Sequence, residues 1–276
     1  MIGNTAQLYM IQGVALLTGL AALAHLLHAR TQRSLWENAG LALLFCAFAV
    51  LSLRIGQTWQ WLGRPPLKTL CESLLAVSWL TMLILLGIHR WMRMPWLRAG
   101  VLLAVAGLLA YAAWHPDLDR INLPPSLQSP WFIPHVLVYL AAYGCLLLAA
   151  VGAAVHLLAP QARWQRWRAG VMTTESYATF MHQFIVIGYV LLSIGMVIGM
   201  VWAKQAWGNY WAWDPKENWA LVSWIVFTLY FHVWRLPGWR DQARAWVVLL
   251  GICVIAFTYV GISLLPTADG SVHTYQ

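Results

Sequence analysis

The chain has 276 residues, 61% of them hydrophobic and 9% charged, with a formal net charge of +8. A soluble domain of this size carries about 25% charged residues, so a soluble globular fold is excluded and an all-α polytopic membrane protein is predicted. A transmembrane barrel would show alternating segments of about 10 residues, which are absent; the excess positive charge sits in short connectors and reads as membrane topology, with no nucleic-acid partner.

Eight apolar runs follow in chain order, at about 8–28, 38–54, 69–89, 100–114, 132–158, 180–202, 219–234 and 245–264. The longer ones exceed the roughly 18 residues that cross hydrocarbon as a helix. The first run is long and has no basic segment before it, so it reads as a span and not as a cleavable signal peptide. The connectors after the first, third, fifth and seventh runs carry 11 of the 17 basic residues. The positive-inside rule then places both termini outside, together with the loop between the sixth and seventh runs. Residues 115–130, rich in proline and polar residues, form an outer loop, and 169–179 read as a short interfacial segment before the sixth span. There is no internal repeat and no separate soluble domain, so residues 1–276 form a single integral membrane domain. Cys46, Cys71, Cys145 and Cys253 are widely spaced with no CxxC, which excludes a thioredoxin-like pair and a c-type haem attachment site on this chain.

The outer loop at 202–224 reads WAKQAWGNYWAWDPKENWALVSW, with six tryptophans in 23 residues. Part of it is helix grammar. Asp214, Pro215 and Glu217 fit a capping box with proline at the first helical position. Capping does not account for Trp202, Trp207, Trp211, Trp213 and Trp219. An aromatic belt at the membrane surface explains one or two tryptophans per helix end. The rest suit a platform for a large planar ligand, with Lys204 or Lys216 near its acidic substituents.

The stretch WGNYWAWDPKENWALVSW resembles the tryptophan-rich signature of the haem-handling proteins of cytochrome c biogenesis, in the form of the CcsA (ResC) type of the System II synthase. Residues 65–80, PPLKTLCESLLAVSWL, resemble a second family stretch, with Cys71 where tyrosine is usual. Residues 127–144, LQSPWFIPHVLVYLAAYG, resemble the family's outer histidine segment. The likeness covers most of 65–273; the spans within 8–54 are the least family-like.

Nine histidines occur. His115, His135 and His273 lie on the outer side. The family carries one outer histidine on each side of its signature, so the resemblance implies His135 and His273 as axial ligands of a haem iron, with His115 left as a loop residue. It also implies His232, within LYFHVWRLPGW, as a ligand at an earlier, intramembrane haem position. His25, His28, His89 and His156 lie near the inner ends of spans, where the helix dipole and interfacial water suit an imidazole. Whether His115 or His182 contributes stays open.

The expected activity is holocytochrome c synthesis. Haem b would be presented outside on Trp202, Trp207, Trp211, Trp213, Asp214 and Trp219, and attached to the CxxCH of an apocytochrome c through thioethers. The resemblance implies a CcsB (ResB)-type membrane partner, with thioredoxin-like reductants as further partners, in a cell membrane or, for a plastid protein, the thylakoid. Two other readings stand beside it: a haem exporter or chaperone without lyase chemistry, and a regulatory membrane protein of the haem pathway.

Overall fold

The computed structural model describes residues 4–91, 94–116, 123–158, 174–236 and 241–261. Every regular element among them is helical. The helices are α1 (Asn4–Thr31), α2 (Ser34–Leu62), α3 (Leu70–Ile88), α4 (Pro95–Trp114), α5 (Phe132–Leu158), α6 (Thr174–Trp207), α7 (Pro215–Arg235) and α8 (Asp241–Tyr259), with a 3-10 turn at Pro125–Gln128. Seven of these eight α-helices are long and apolar enough to cross a membrane. The other, α7, has 21 residues but opens on Lys216, Glu217 and Asn218, which lower its apolarity. The protein is an all-α integral membrane protein. One expectation changes in part: of the segment 169–179, residues 174–179 are the first turns of α6, while 169–173 lie outside the described residues.

Helix ends fall where local chemistry puts them. Gly63 ends α2 in the left-handed region at φ 68, its N–H donating to Trp59 O at 2.9 Å, a conformation that favours glycine. Thr69 and Glu72 form a reciprocal capping box at the start of α3. Pro95 opens α4, where its missing N–H costs nothing.

The chain divides into two compact units, one of 1–120 with 159–175 and one of 121–158 with 176–276. In the first, α1 packs against α2 and α4, and α3 against α2 and α4. Its interior is mainly apolar, with Ile11, Leu51, Met82, Leu97, Leu102 and Leu109 buried, and it also encloses His25, Arg54, Arg64, Glu72 and Arg98. His25 corrects an expectation. It does not reach interfacial water: it is fully buried, its ring seated on Gly40, and neither ring nitrogen has a hydrogen-bond partner among the described residues. His28 does behave as a helix-end residue, its Nδ1 3.1 Å from Arg33 O.

In the second unit α5 packs on α8 and α7 on α8. Glycines set the close approaches. A Cβ on Gly251 would stand 2.6 Å from Phe227, and one on Gly188 would stand 2.7 Å from Leu146. Ser223 of α7 and Thr258 of α8 lie 3.3 Å apart, and Thr258 also donates to Trp219 O. These contacts fix the start of α7, which carries the tryptophan loop. At its 34 residues, α6 runs about 50 Å, well beyond the ~30 Å of hydrocarbon.

Candidate functional site: an oriented imidazole beside a tryptophan loop

The loop between α6 and α7 is held at both ends. Gly208 closes α6 with φ 84, its N–H donating to Lys204 O at 3.1 Å. The ammonium of Lys204 turns back to Gly208 O at 2.7 Å and lies 5.5 Å from the centre of the Tyr210 ring. At the other end the expected capping box is present: Asp214 Oδ1 accepts from Lys216 N at 2.9 Å, and Glu217 Oε2 accepts from Asp214 N at 3.2 Å and from Ala212 N at 2.8 Å. One carboxylate therefore ties down both the helix cap and the last loop residues. Asp214 is buried. Burial holds Lys216 down to about 8, opposed by the neighbouring Asp214 carboxylate.

Trp213 stands between these anchors in the left-handed region at φ 58. A bulky residue rarely takes this conformation, and holding it there costs of order 1–3 kcal/mol. Asn218 Nδ2 donates to Trp213 O at 2.8 Å and helps hold it. The result is an indole 69% exposed to solvent. Nothing in the residue pattern of the loop signals this strain.

The six tryptophans divide by role. Trp202 is an interior residue, 4% exposed, its Nε1 donating to Ser126 O at 2.9 Å. It meets Trp207 edge-on at 4.9 Å and Phe132 at 5.7 Å. Trp219 packs on Phe257 of α8 at 4.4 Å. Trp224 donates to Ser193 at 2.9 Å and stacks on Tyr189. Trp211 and Trp213 meet at 84°, 6.0 Å apart. The indole N–H of Trp211 is buried with no hydrogen-bond partner among the described residues, an orphan donor of the kind that a ligand satisfies. Trp207, Tyr210, Trp211 and Trp213 thus form the open part of the loop, over a floor that includes Trp202.

His135, in the first turn of α5, belongs to this floor. Its ring lies 5.4 Å from Trp202 and 4.9 Å from Tyr139. Its Nδ1 is 2.9 Å from the backbone oxygen of Gly195 on α6. A carbonyl only accepts, so Nδ1 carries the proton and the ring's lone pair lies on Nε2. A metal-ligating histidine is oriented in this way, through its other nitrogen. Gly199 makes the seat possible: a Cβ there would stand 2.5 Å from His135 Cε1. Gly195 does the same for Tyr139, at 2.7 Å. Gly195, Gly199 and Tyr139 were not singled out in the sequence. The signal was available, since two glycines four apart lie on one helix face.

The other expected ligands stand differently. His273 lies outside the described residues. His232 is exposed on α7, with no hydrogen-bond or ring partner among the described residues. His115 caps the end of α4, exposed and 4.8 Å from Tyr111. His182 on α6 is fixed: it stacks on Trp234 at 3.9 Å and 14°, and its Nδ1 is 3.2 Å from the Tyr230 hydroxyl.

These features match a known family. The family model described as cytochrome C assembly protein matches residues 67–268. The chain belongs to this family. Its similarity to cytochrome c biogenesis protein CcsA of Synechococcus sp. (strain CC9605) is 30% identity over 259 residues, covering 83% of this chain and 85% of the relative. The protein of the same name from Parasynechococcus marenigrum (strain WH8102) is 31% identical over 258 residues, with the same coverage. The chain is thus of the CcsA type within the family. Among solved structures, cytochrome c heme lyase CcmF superposes with a TM-score of 0.65 at 19% identity, covering 93% of this chain and 46% of that one. That likeness concerns the fold alone. The family match leaves α1 and α2 outside its bounds and includes His135, the tryptophan loop and His232.

Proposed function

We propose that this cytochrome c assembly protein presents haem b at the outer membrane face and serves as the CcsA-type subunit of a holocytochrome c synthase. The observation that carries the reading is the orientation of His135: its Nδ1 is committed to Gly195 O, which puts the lone pair on Nε2, and its ring lies against the tryptophan loop's floor at Trp202. His273, from the C-terminal segment, is the second outer ligand. Trp207, Trp211 and Trp213 supply apolar and stacking surface, Trp202 and Trp219 brace it, and Asp214 holds the loop on α7. The unpartnered Trp211 N–H and the nearby lysines suit the carboxylates of the macrocycle.

Haem is the substrate here. The thiols of an apocytochrome CxxCH add across its two vinyl groups, sulfur to one carbon and hydrogen to the other, so no atom is lost. The residues of this chain orient the ring and exclude water; alignment of this kind supplies much of the rate. No dedicated acid–base pair is assigned.

His232, bare on the surface of α7, suits an intramembrane haem whose other axial ligand comes from a second, CcsB-type subunit. Haem loading of this chain should then be poor alone and rise on co-expression with that subunit. The charge asymmetry of the connectors places both termini and the loop on the outer side of the cell membrane, which reporter fusions after Arg168 and Gln276 test: the two must report opposite sides.

The deciding experiment is an absorption spectrum of the purified protein, oxidised and reduced. A six-coordinate low-spin spectrum is expected. His135→Ala should lose it and lose thioether product, and added imidazole should restore part of both. A low-spin spectrum unchanged in His135→Ala would refute the assignment, and bound haem without thioether product would leave the exporter reading.

A further inference from the structure

Arg54 is buried in the first unit, eight residues from the end of α2 and 3% exposed. Its Nη2 donates to Gln7 Oε1 of α1 at 3.2 Å, while Nε and Nη1 have no hydrogen-bond partner among the described residues. A buried charge is ordinarily paired, because leaving it bare in an apolar setting is expensive.

The nearest carboxylate is already committed. Glu72 takes Arg64 through both oxygens, Nη1 at 3.0 Å and Nη2 at 2.9 Å, and its Oε2 also accepts Lys68 N at 2.6 Å and Thr69 N at 3.3 Å. Its Oε2 is fully engaged, and its charge is matched by the bidentate Arg64. Cys71 could in principle ionise beside Arg54. Its Sγ instead lies 3.7 Å from Ala112 O, the contact of a protonated thiol with an acceptor. Among the described residues, Arg54 itself has no carboxylate hydrogen-bonded to it.

Arg54, Gln7, Thr58, Cys71 and Glu72 line a partly enclosed cavity of about 20 Å³. By the same measure one water needs roughly 10–15 Å³, so the space holds a single small ion. We propose that this cavity is a binding site for one small monovalent anion, a halide or the carboxylate of a small acid. The occupant closes the charge balance and ties α1 and α2, which lie outside the family match, to the start of α3. The site is independent of the haem reading.

The test uses the purified full chain, with its partner subunit if that is needed for expression, and follows thermal unfolding by intrinsic fluorescence. Chloride, bromide or formate is titrated against gluconate at constant ionic strength, with sulfate as the control for size and charge. A saturable rise in Tm is expected with the small monovalent anions and none with sulfate. Bromide and chloride acting without formate identify a halide site; formate acting more strongly identifies a carboxylate site. Arg54→Gln should abolish the rise. Because that variant could fold poorly, Gln7→Glu gives the second arm. It builds a carboxylate 3.2 Å from Arg54 Nη2, so Tm in gluconate should rise toward the anion-loaded value and the anion response should vanish. An undiminished chloride response in Gln7→Glu, an equal response to sulfate, or no saturable response in the parent protein overturns the proposal.

Discussion

Replacing Gly199 by alanine tests the outer site without touching a ligand. The added Cβ would lie 2.5 Å from His135 Cε1 and 2.8 Å from Nδ1, where ordinary carbon contacts are about 3.5–4.0 Å. The ring must retreat by about 1 Å. Its bond to Gly195 O, now 2.9 Å, then stretches beyond hydrogen-bonding range. On the folding side, the overpacking costs about 1–3 kcal/mol and the lost bond about 0.5–1.5 kcal/mol. Removing a glycine from a helix interior returns about 1 kcal/mol. The protein should therefore fold, with Tm lowered by a few degrees. The effect on haem should be larger, since removing an orienting partner of a metal-bound histidine typically costs about 10–100-fold in affinity. The assay is haem retention and the low-spin spectrum of the purified protein, with Gly107→Ala as control, because a Cβ there meets nothing within 4 Å. If Gly199→Ala keeps the parent spectrum and haem content, then His135 is not held in place for iron by this seat.

Three further outcomes follow from the loop. Trp213→Gly relieves the left-handed backbone at φ 58 and removes an indole that is mostly exposed, so unfolding should show equal or greater stability while haem retention falls; a loss of both would mean the indole packs for stability alone. Asp214→Ala should cost about 0.5–2 kcal/mol as a lost N-cap, whereas Asp214→Asn keeps a good cap; a stable Asn variant that cannot hold haem would assign Asp214 a direct contact. Lys216 titrates near 8 in the folded protein against an ordinary value of 10.5. Below about pH 8 it is charged in both states and the burial penalty is fully present. Between these two values the unfolded chain holds more protons, so stability should climb with pH and then level off. Lys216→Met should flatten that rise in a series of unfolding scans.

The fold was legible because its signals are local and redundant. Apolar length alone gave the helices, and the capping chemistry of Thr69–Glu72 and Asp214–Glu217 fixed two of their starts. The misread segment at 174–179 shows the limit of that signal: TESYAT is polar enough to look like a separate interfacial piece, yet α6 is long enough to carry it beyond the apolar layer as ordinary helix. His25 shows another limit. Position near a span end suggested contact with water, but Gly40 on the neighbouring helix leaves a gap that the ring fills, and no single-helix pattern reports what faces a residue across a packing interface.

The site was legible in its residue types and not in its mechanics. Tryptophan count and histidine position pointed to His135 and the loop. What makes His135 a plausible ligand is a backbone oxygen and two glycines on a different helix, 60 or more residues away in sequence. What makes Trp213 prominent is one dihedral angle. Both are properties of tertiary contact, invisible to composition. Three imidazoles of the second unit, His135, His182 and His232, then separate on physical grounds. His135 is oriented by a carbonyl, which fixes its tautomer. His182 is clamped between a hydroxyl and an indole face, which fixes its ring but leaves its tautomer free, because a hydroxyl can donate or accept. His232 is held by nothing among the described residues. An imidazole so unconstrained would bear the full cost of ordering on binding iron as proposed, unless another surface ordered it first. That is the physical reason to look for its second axial partner, and for its own orientation, on a different subunit.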